Sequence, residues 1–435
     1  MSDSLISRSP SRRPVALIVI IGVLAMLVLV GAWRLLSVMQ PIPSPATIIG
    51  APVRAATAGG DRVYLMTSQW RSYNLPSRGL NRRSYTDLLV DVWAFDATTA
   101  KPVWRTRIAS DRSGVNMGRS ILGAQGGVLW VLQPKGLVGL SLKDGSQVAD
   151  VARIEAANPA LRGLVPTEER YYRFDAGGLK FTAADGRSWR LPGADLKAGP
   201  DTPAPETPAE GVYPVARIAG GNATWAFMER GLRTQGLWLG VMDEAEARTY
   251  GEQNVMGGID PEGHPRTRLY FSKLGSKETF FGRQLVYQGF KPYPESPEFI
   301  QAGLLTDGRI NALPIMLHGP DSVLILHRDR LGDRGRLRLT RISGPRGKVL
   351  WTVNLPMQGI EAVMPGETAI AFTGRRDEDR GRGRPSDRVV SVDQVVAVDY
   401  ATGKMGAYGL LIPSTKPADI PPSSTVVSTP AVKGG

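Results

Sequence analysis

The sequence predicts an all-β fold, a β-propeller of about seven four-stranded blades, preceded by one N-terminal transmembrane helix. Three observations predict it. A strand–turn–strand unit recurs through the chain, apolar and polar residues alternate with a period of two, and one long uncharged apolar run stands near the start.

The apolar run comes first. Pro14–Trp33 contains no charge, and Leu35–Met39 continues it after a single Arg34. About 20 apolar residues suffice to cross a bilayer. Arg8, Arg12 and Arg13 precede the run, whereas its far side carries Arg34 and then no basic residue until Arg54. The positive-inside rule therefore predicts a cytoplasmic N-terminus (1–13), an anchor (14–39) and everything later on the far side of an inner (cytoplasmic) membrane, in the periplasm. A cleaved signal peptide also begins with basic residues, but its apolar region is about 7–15 residues long. No second apolar run of comparable length follows. Residues 40–47 form a Pro-rich linker of the stiff, extended kind.

Strand-like text begins at Val63. The segments 63–68, 88–95 and 103–108 alternate β-branched or aromatic residues with polar ones. The turn unit is clearest at Ala397–Ala407, AVDYATGKMGA, with relatives at 94–104, 139–149, 180–189, 241–251, 302–312 and 341–351. Its marker positions are Ala100, Gly145, Gly186, Ala247, Gly308, Gly347 and Gly403, a spacing of about 40–60 residues that matches propeller blades with insertions. Seven units follow, and six or eight fit the same text, because the unit at Ala247 is placed partly by its spacing. Gly at the marker accepts positive φ, and the Asp or Thr before it caps the turn. Trp104, Trp189 and Trp351 fall just after the turn, where a large flat ring fills the wedge between neighbouring sheets.

Helical periodicity outside the anchor is confined to a short stretch at Asp243–Arg248. Two charged or Pro-rich excursions, 192–214 and 374–388, are predicted to be loops. The propeller domain is expected over 48–411, and the Pro/Ser/Thr-rich tail over 412–435 is expected to be disordered.

The chemistry is sparse. There is no cysteine, which excludes disulfides, thiolate metal sites and thiol catalysis. His264 sits in DPEGHP beside Asp260 and Glu262, a pattern that turn composition explains as well as metal ligation. His318 and His327 are the other histidines. No HExxH, GxSxG or phosphate-loop motif occurs, so the residues point to no catalytic group and no metal, and the cofactor-binding residues, if any, are unknown from sequence. The net charge of +13 is scattered along the chain, which fits an anionic glycan or lipid as partner better than nucleic acid, for which no binding module exists.

AFDATTAKPVW at 94–104 and AVDYATGKMGA at 397–407 resemble the blade motif of the PQQ-like, or quinoprotein alcohol-dehydrogenase-like, propeller family, and the resemblance covers about residues 60–410. It implies the propeller fold. Some members of that family are dehydrogenases with a quinone over the propeller axis, and others are cofactor-free scaffolds, such as the outer-membrane assembly lipoprotein. This chain lacks the Cys pair of the alcohol dehydrogenases and a recognisable acidic calcium cluster, and its motif is eroded at Ala100 and Ala407. The expectation is a diverged, cofactor-free binding or assembly scaffold in the bacterial envelope, with envelope proteins as partners. A diverged periplasmic quinoprotein-like oxidoreductase and a sensor of anionic envelope polymers are the alternatives.

Overall fold

The computed structural model describes residues 42–75, 83–111, 118–201, 223–249, 265–307, 315, 322–379 and 389–411, apart from 176, 235–236, 280–281, 333–334 and 345, together with a helical stretch at 23 and 25–30. Most of the predicted anchor and the whole predicted tail lie outside these residues. No helix among the described residues is long and apolar enough to cross a membrane.

The described chain is mostly β and is arranged in antiparallel sheets. The first sheet contains β1 (Ile42–Pro43), β2 (Thr47–Thr57), β3 (Gly60–Leu75), β4 (Arg83–Asp96) and β5 (Pro102–Asp111). The second runs β6 (Ser120–Gln125), β7 (Val128–Gln133), β8 (Gly136–Ser141), β9 (Gln147–Asp150) in sequence order. The third does the same with β10 (Tyr172–Asp175), β11 (Gly178–Thr182), β12 (Ser188–Leu191) and β13 (Gly199–Pro200).

Next come β14 (Met228–Glu229), β15 (Gly231–Thr234), β16 (Leu237–Met242), β17 (Arg266–Thr279), β18 (Gly282–Tyr287) and β19 (Lys291–Pro292). They join β20 (Phe299–Leu305), β21 (Ser322–Arg328), β22 (Leu337–Ser343) and β23 (Val349–Asn354) in one ten-stranded sheet. Strand pairing between the two halves is short: among the described residues Arg266 and Thr267 of β17 pair with Ile300 and Phe299 of β20, and β14 pairs with β20, while Leu239, Val241 and Leu269 pack against Leu304, Val323 and Ile325. The last sheet is β24 (Gly359–Pro365), β25 (Ala369–Asp379), β26 (Val389–Asp399) and β27 (Met405–Gly409).

Sheets stack through buried apolar faces. Val53, Tyr64 and Val92 of the first sheet share a cluster with Leu129 and Leu140 of the second. Trp130 and Leu132 of the second share another with Leu179 and Phe181 of the third. Leu339 and Trp351 pack with Phe372 and Val396 of the last sheet, which in turn meets the first through Ala371, Val395, Leu65 and Phe95.

The recurrent turn behaves as expected at four places. The marker amide of Ala100, Gly145, Gly347 or Gly403 donates to the carbonyl four residues earlier, at Asp96, Ser141, Ser343 or Asp399, at 2.9 Å in every case. The Asp96 and Asp399 carboxylates each accept backbone and hydroxyl bonds from the Thr that follows. Trp104 then reaches the second sheet's turn, its Nε1 donating to Leu142 O at 3.2 Å, and Trp351 reaches the last sheet's turn, donating to Tyr400 O at 2.8 Å. Two of the three wedge positions predicted from sequence are thus occupied; Trp189, on β12, packs partly buried against the cluster of the second and third sheets, and its indole N–H reaches no carbonyl among the described residues.

Elsewhere the expectations need correction. Gly186 lies between the second and third strands of its sheet, not the third and fourth. The unit at 241–251 holds the helix Glu244–Thr249, where the helical periodicity of 243–248 places one and the turn repeat does not, because Asp243 and Glu246 form a reciprocal capping box, Asp243 Oδ1 accepting from Glu246 N at 2.8 Å and Glu246 Oε2 from Asp243 N at 2.9 Å. The unit at 302–312 opens in β20 and the unit at 341–351 occupies β22 and β23, so two predicted units share one set of strands. Gly308 is outside the described residues. The charged stretch expected to be a loop from Gly374 is strand as far as Asp379, since the β25–β26 ladder continues to the pair Asp379–Val389. The helix Val151–Ala157 was not foreseen; Asp150 caps it by accepting from Arg153 N.

Position 407 is not the counterpart of the wedge tryptophans. Trp104 pairs with Ala94 and Trp351 with Arg341, each beside a bulge in the ladder; β27 has no bulge, so Gly406, paired with Ala397, takes the equivalent place. A Cβ at Gly406 would come within 2.0 Å of Thr99 O. The last sheet therefore meets the first backbone to backbone. Among the described residues no indole overlies that turn.

His327 is a buried strand residue, as its place at the end of an apolar run suggests. Its Nδ1 lies 3.2 Å from Arg328 O, which can only accept, so Nδ1 carries the proton and Nε2 accepts from Thr340 Oγ1 at 2.8 Å. Burial pushes the imidazole down to about 4, well below its ordinary value. The unfolded chain therefore binds the proton first as pH falls, and stability present above pH about 6.5 is lost towards pH 4, on the order of 3 kcal/mol. Urea unfolding at pH 7 and 4.5 should show this loss in the wild type and a smaller one in His327→Gln.

Candidate functional site

The first strands of the sheets position the site. The start of β2 and the start of β24 lie together, since Ile48 N donates 2.7 Å to Asp393 Oδ2 and Asp393 accepts from Arg375, which pairs with Gly359. At the opposite end, Arg62, Tyr64 and Trp104 of the first sheet all donate to Leu142 O, beside the end of β6. The first strands thus begin on a common side, which we call the entry face. Four of them, β2, β6, β20 and β24, carry a register shift against the second strand, so each kinks near its start. In β20 the kink puts buried Gln301 at φ +46°, a conformation that costs a non-glycine residue about 1 kcal/mol or more.

Three of these starts, from β2, β6 and β10, enclose a cleft of about 390 Å³. Its floor is apolar, from Ile121, Leu122 and Phe174, and its rim carries Arg119, Arg170 and Arg173 against the single carboxylate Glu169. Tyr172 forms a wall; burial pushes its phenol above the ordinary range, and the protonated hydroxyl donates to Pro166 O at 2.5 Å, which fixes the ring. Arg170 stacks over Tyr171, with the guanidinium carbon 4.9 Å from the ring centre, and pairs with exposed Glu168 at 2.8 Å. The Ser120 hydroxyl, buried in the wall, has no hydrogen-bond partner among the described residues. Such a site is suited to an anion with an apolar neighbour.

A larger cleft, about 670 Å³, lies around Tyr270 and Phe290. Its charges cancel one another: Arg268 meets Glu298 at 3.0 Å, Arg266 meets it at 3.8 Å, and Arg248 pairs with Glu244. It offers a ligand no net field. Two buried ionic groups also stand near the entry face. Asp91 is held by Arg105 and Arg107, with Arg105 stacked 4.7 Å from the Trp93 ring, and Arg375 lies 2.9 Å from Glu361 and 3.1 Å from Asp393. Their charges face each other within the sheets, and only Asp393 also bonds across a seam, to Ile48 N.

The sequence named no site residue, and no group of ligating side chains fit for a metal exists among the described residues. His264 and His318 lie outside them. The cleft arginines were missed because nothing local marks them. A signal does exist: Gly-Gly pairs at 59–60, 126–127 and 177–178 close the hairpins after β2, β6 and β10, and Arg119 and Arg170 each stand seven residues before a pair, at the entrance to the strand. No family model and no curated protein matches the chain.

Proposed function

We propose that the protein is a β-propeller of six blades, carried outside the cytoplasm on the N-terminal anchor and used as a binding platform in the envelope. The blades are the first, second, third and last sheets and the two halves of the ten-stranded one. What supports the ring is that the first and last sheets, more than 300 residues apart in sequence, are joined by Ile48 to Asp393 and by Arg54 to Met364 O and Ala369 O. The observation that carries the binding role is the cationic cleft where three first strands converge.

The test is membrane fractionation of the full chain with alkaline carbonate, followed by cross-linking and pull-down from solubilised membranes. Expected is a carbonate-resistant protein recovered with specific partners. Release by carbonate, or repeated recovery of the protein alone, overturns the anchored platform.

A further inference from the structure

The way the chain enters its body says what the cleft faces. Ile42 and Pro43 pair with Ser72 and Arg71, Ser44 N donates to Trp70 O at 2.8 Å, Gln69 Nε2 donates to Ser44 O at 2.8 Å, and Ala46 N reaches Leu410 O at 3.2 Å. The stretch predicted to be a free spacer is thus bound from residue 42 onward to the entry face. Because β1 runs antiparallel to β3, following the chain back towards its start leads away from the body on that face. The uncharged run ends at Trp33, or at Met39 with its extension. The two to eight residues left before Ile42 span at most about 10–30 Å when fully extended. An anchored chain therefore turns the entry face, and the cleft in it, towards the bilayer, with the β3–β4 hairpin extending past the β1 pairing on the same side.

We propose that this cleft takes the phosphate of an anionic phospholipid headgroup; the inference rests on the anchored reading above. Arg170 and Arg173 keep planar donors for phosphate oxygens beyond their bonds to Glu168 and Tyr172 O, Arg119 adds positive charge beside them, and the Ser120 hydroxyl adds a buried donor. The floor of Ile121, Leu122 and Phe174 accepts the glycerol and first acyl carbons. Exposed Tyr171 beside the rim is the residue type that settles at the lipid–water boundary. The volume fits a headgroup and is too small for a folded partner.

The full chain, purified in an uncharged maltoside detergent, is titrated by calorimetry with dihexanoyl phosphatidylglycerol, dihexanoyl phosphatidylcholine, glycerol 3-phosphate and inorganic phosphate. Expected is binding of the phosphatidylglycerol at least tenfold tighter than the other three, weakened by salt. Arg170→Gln with Arg173→Gln, both at exposed positions, should lose at least tenfold at unchanged melting temperature, and Arg266→Gln in the other cleft should lose nothing. Equal affinity for the two lipids, or an unaffected double variant, overturns the proposal. Tight inorganic phosphate binding overturns the lipid source. A protein released by carbonate yet selective for phosphatidylglycerol overturns the anchored reading alone.

Discussion

Arg54→Ala should lower the unfolding free energy by about 3–5 kcal/mol, the cost of breaking a buried charged pair from one side. Arg54 is 6% exposed and makes four hydrogen bonds, two across the seam to the last sheet and two to Asp61 of its own sheet. Its Nη1 donates to Met364 O at 2.5 Å and to Ala369 O at 3.0 Å, while Nε and Nη2 hold Asp61 Oδ2 at 2.7 and 2.5 Å. Alanine leaves two carbonyls and a carboxylate without those donors. Arg54→Lys should fall in between, because one ammonium cannot reach both carbonyls and Asp61 in the same geometry. Chemical unfolding followed by tryptophan fluorescence measures both. A loss below about 1 kcal/mol for alanine, the range of an exposed ion pair, would mean that the guanidinium adds nothing to the seam, which the Ile48–Asp393 bond and the apolar cluster would then hold alone.

The repeat was legible in the sequence because a turn of this kind needs particular residues at fixed offsets. Asp399, Thr402 and Gly403 each perform a bond or a dihedral that few other residues can. The strand segments were legible from their alternation: 63–68, 88–95 and 103–108 fall within β3, β4 and β5. The number of sheets was less so. A Gly-marked turn is a local object, and the chain uses it at Gly186 between different strands than elsewhere, whereas Asp243 and Glu246 turn another copy into a helix.

The bulge explains a second miss. Counting four residues from Gly403 leads to Ala407, yet the unbulged β27 puts Gly406 over the neighbouring turn. A single unpaired residue changes which side chain faces the next sheet, and sequence spacing does not register it. The cleft was hidden for a larger reason. Gly50, Ser120 and Tyr172 are brought together only by the stacking of three sheets, and none of them belongs to a motif.

Trp351→Ala should cost about 3–5 kcal/mol, the range for emptying a buried aromatic site. Trp351 is 5% exposed and lies between the half-sheet β20–β23 and the last sheet. Trp351→Phe should cost much less, about 1 kcal/mol, because Tyr400 O keeps its second donor, Arg341 Nη1 at 2.6 Å, when the indole N–H is lost. Gly403→Ala discriminates between packing and backbone. Its Cβ would stand 2.8 Å from the indole, and its φ of +68° adds about 1 kcal/mol or more for any residue with a side chain. Removing the indole removes the clash and leaves the backbone cost. The Trp351→Ala, Gly403→Ala pair should therefore be destabilised by clearly less than the sum of its parts. The first sheet supports this, because Ala100 occupies the same turn position at φ +56°, fully buried, where no tryptophan lies above it. Strict additivity in thermal unfolding of the four proteins would mean that the indole and the turn do not touch. The recurrent Gly would then be kept for its dihedral alone, and the wedge role of the tryptophan would be lost.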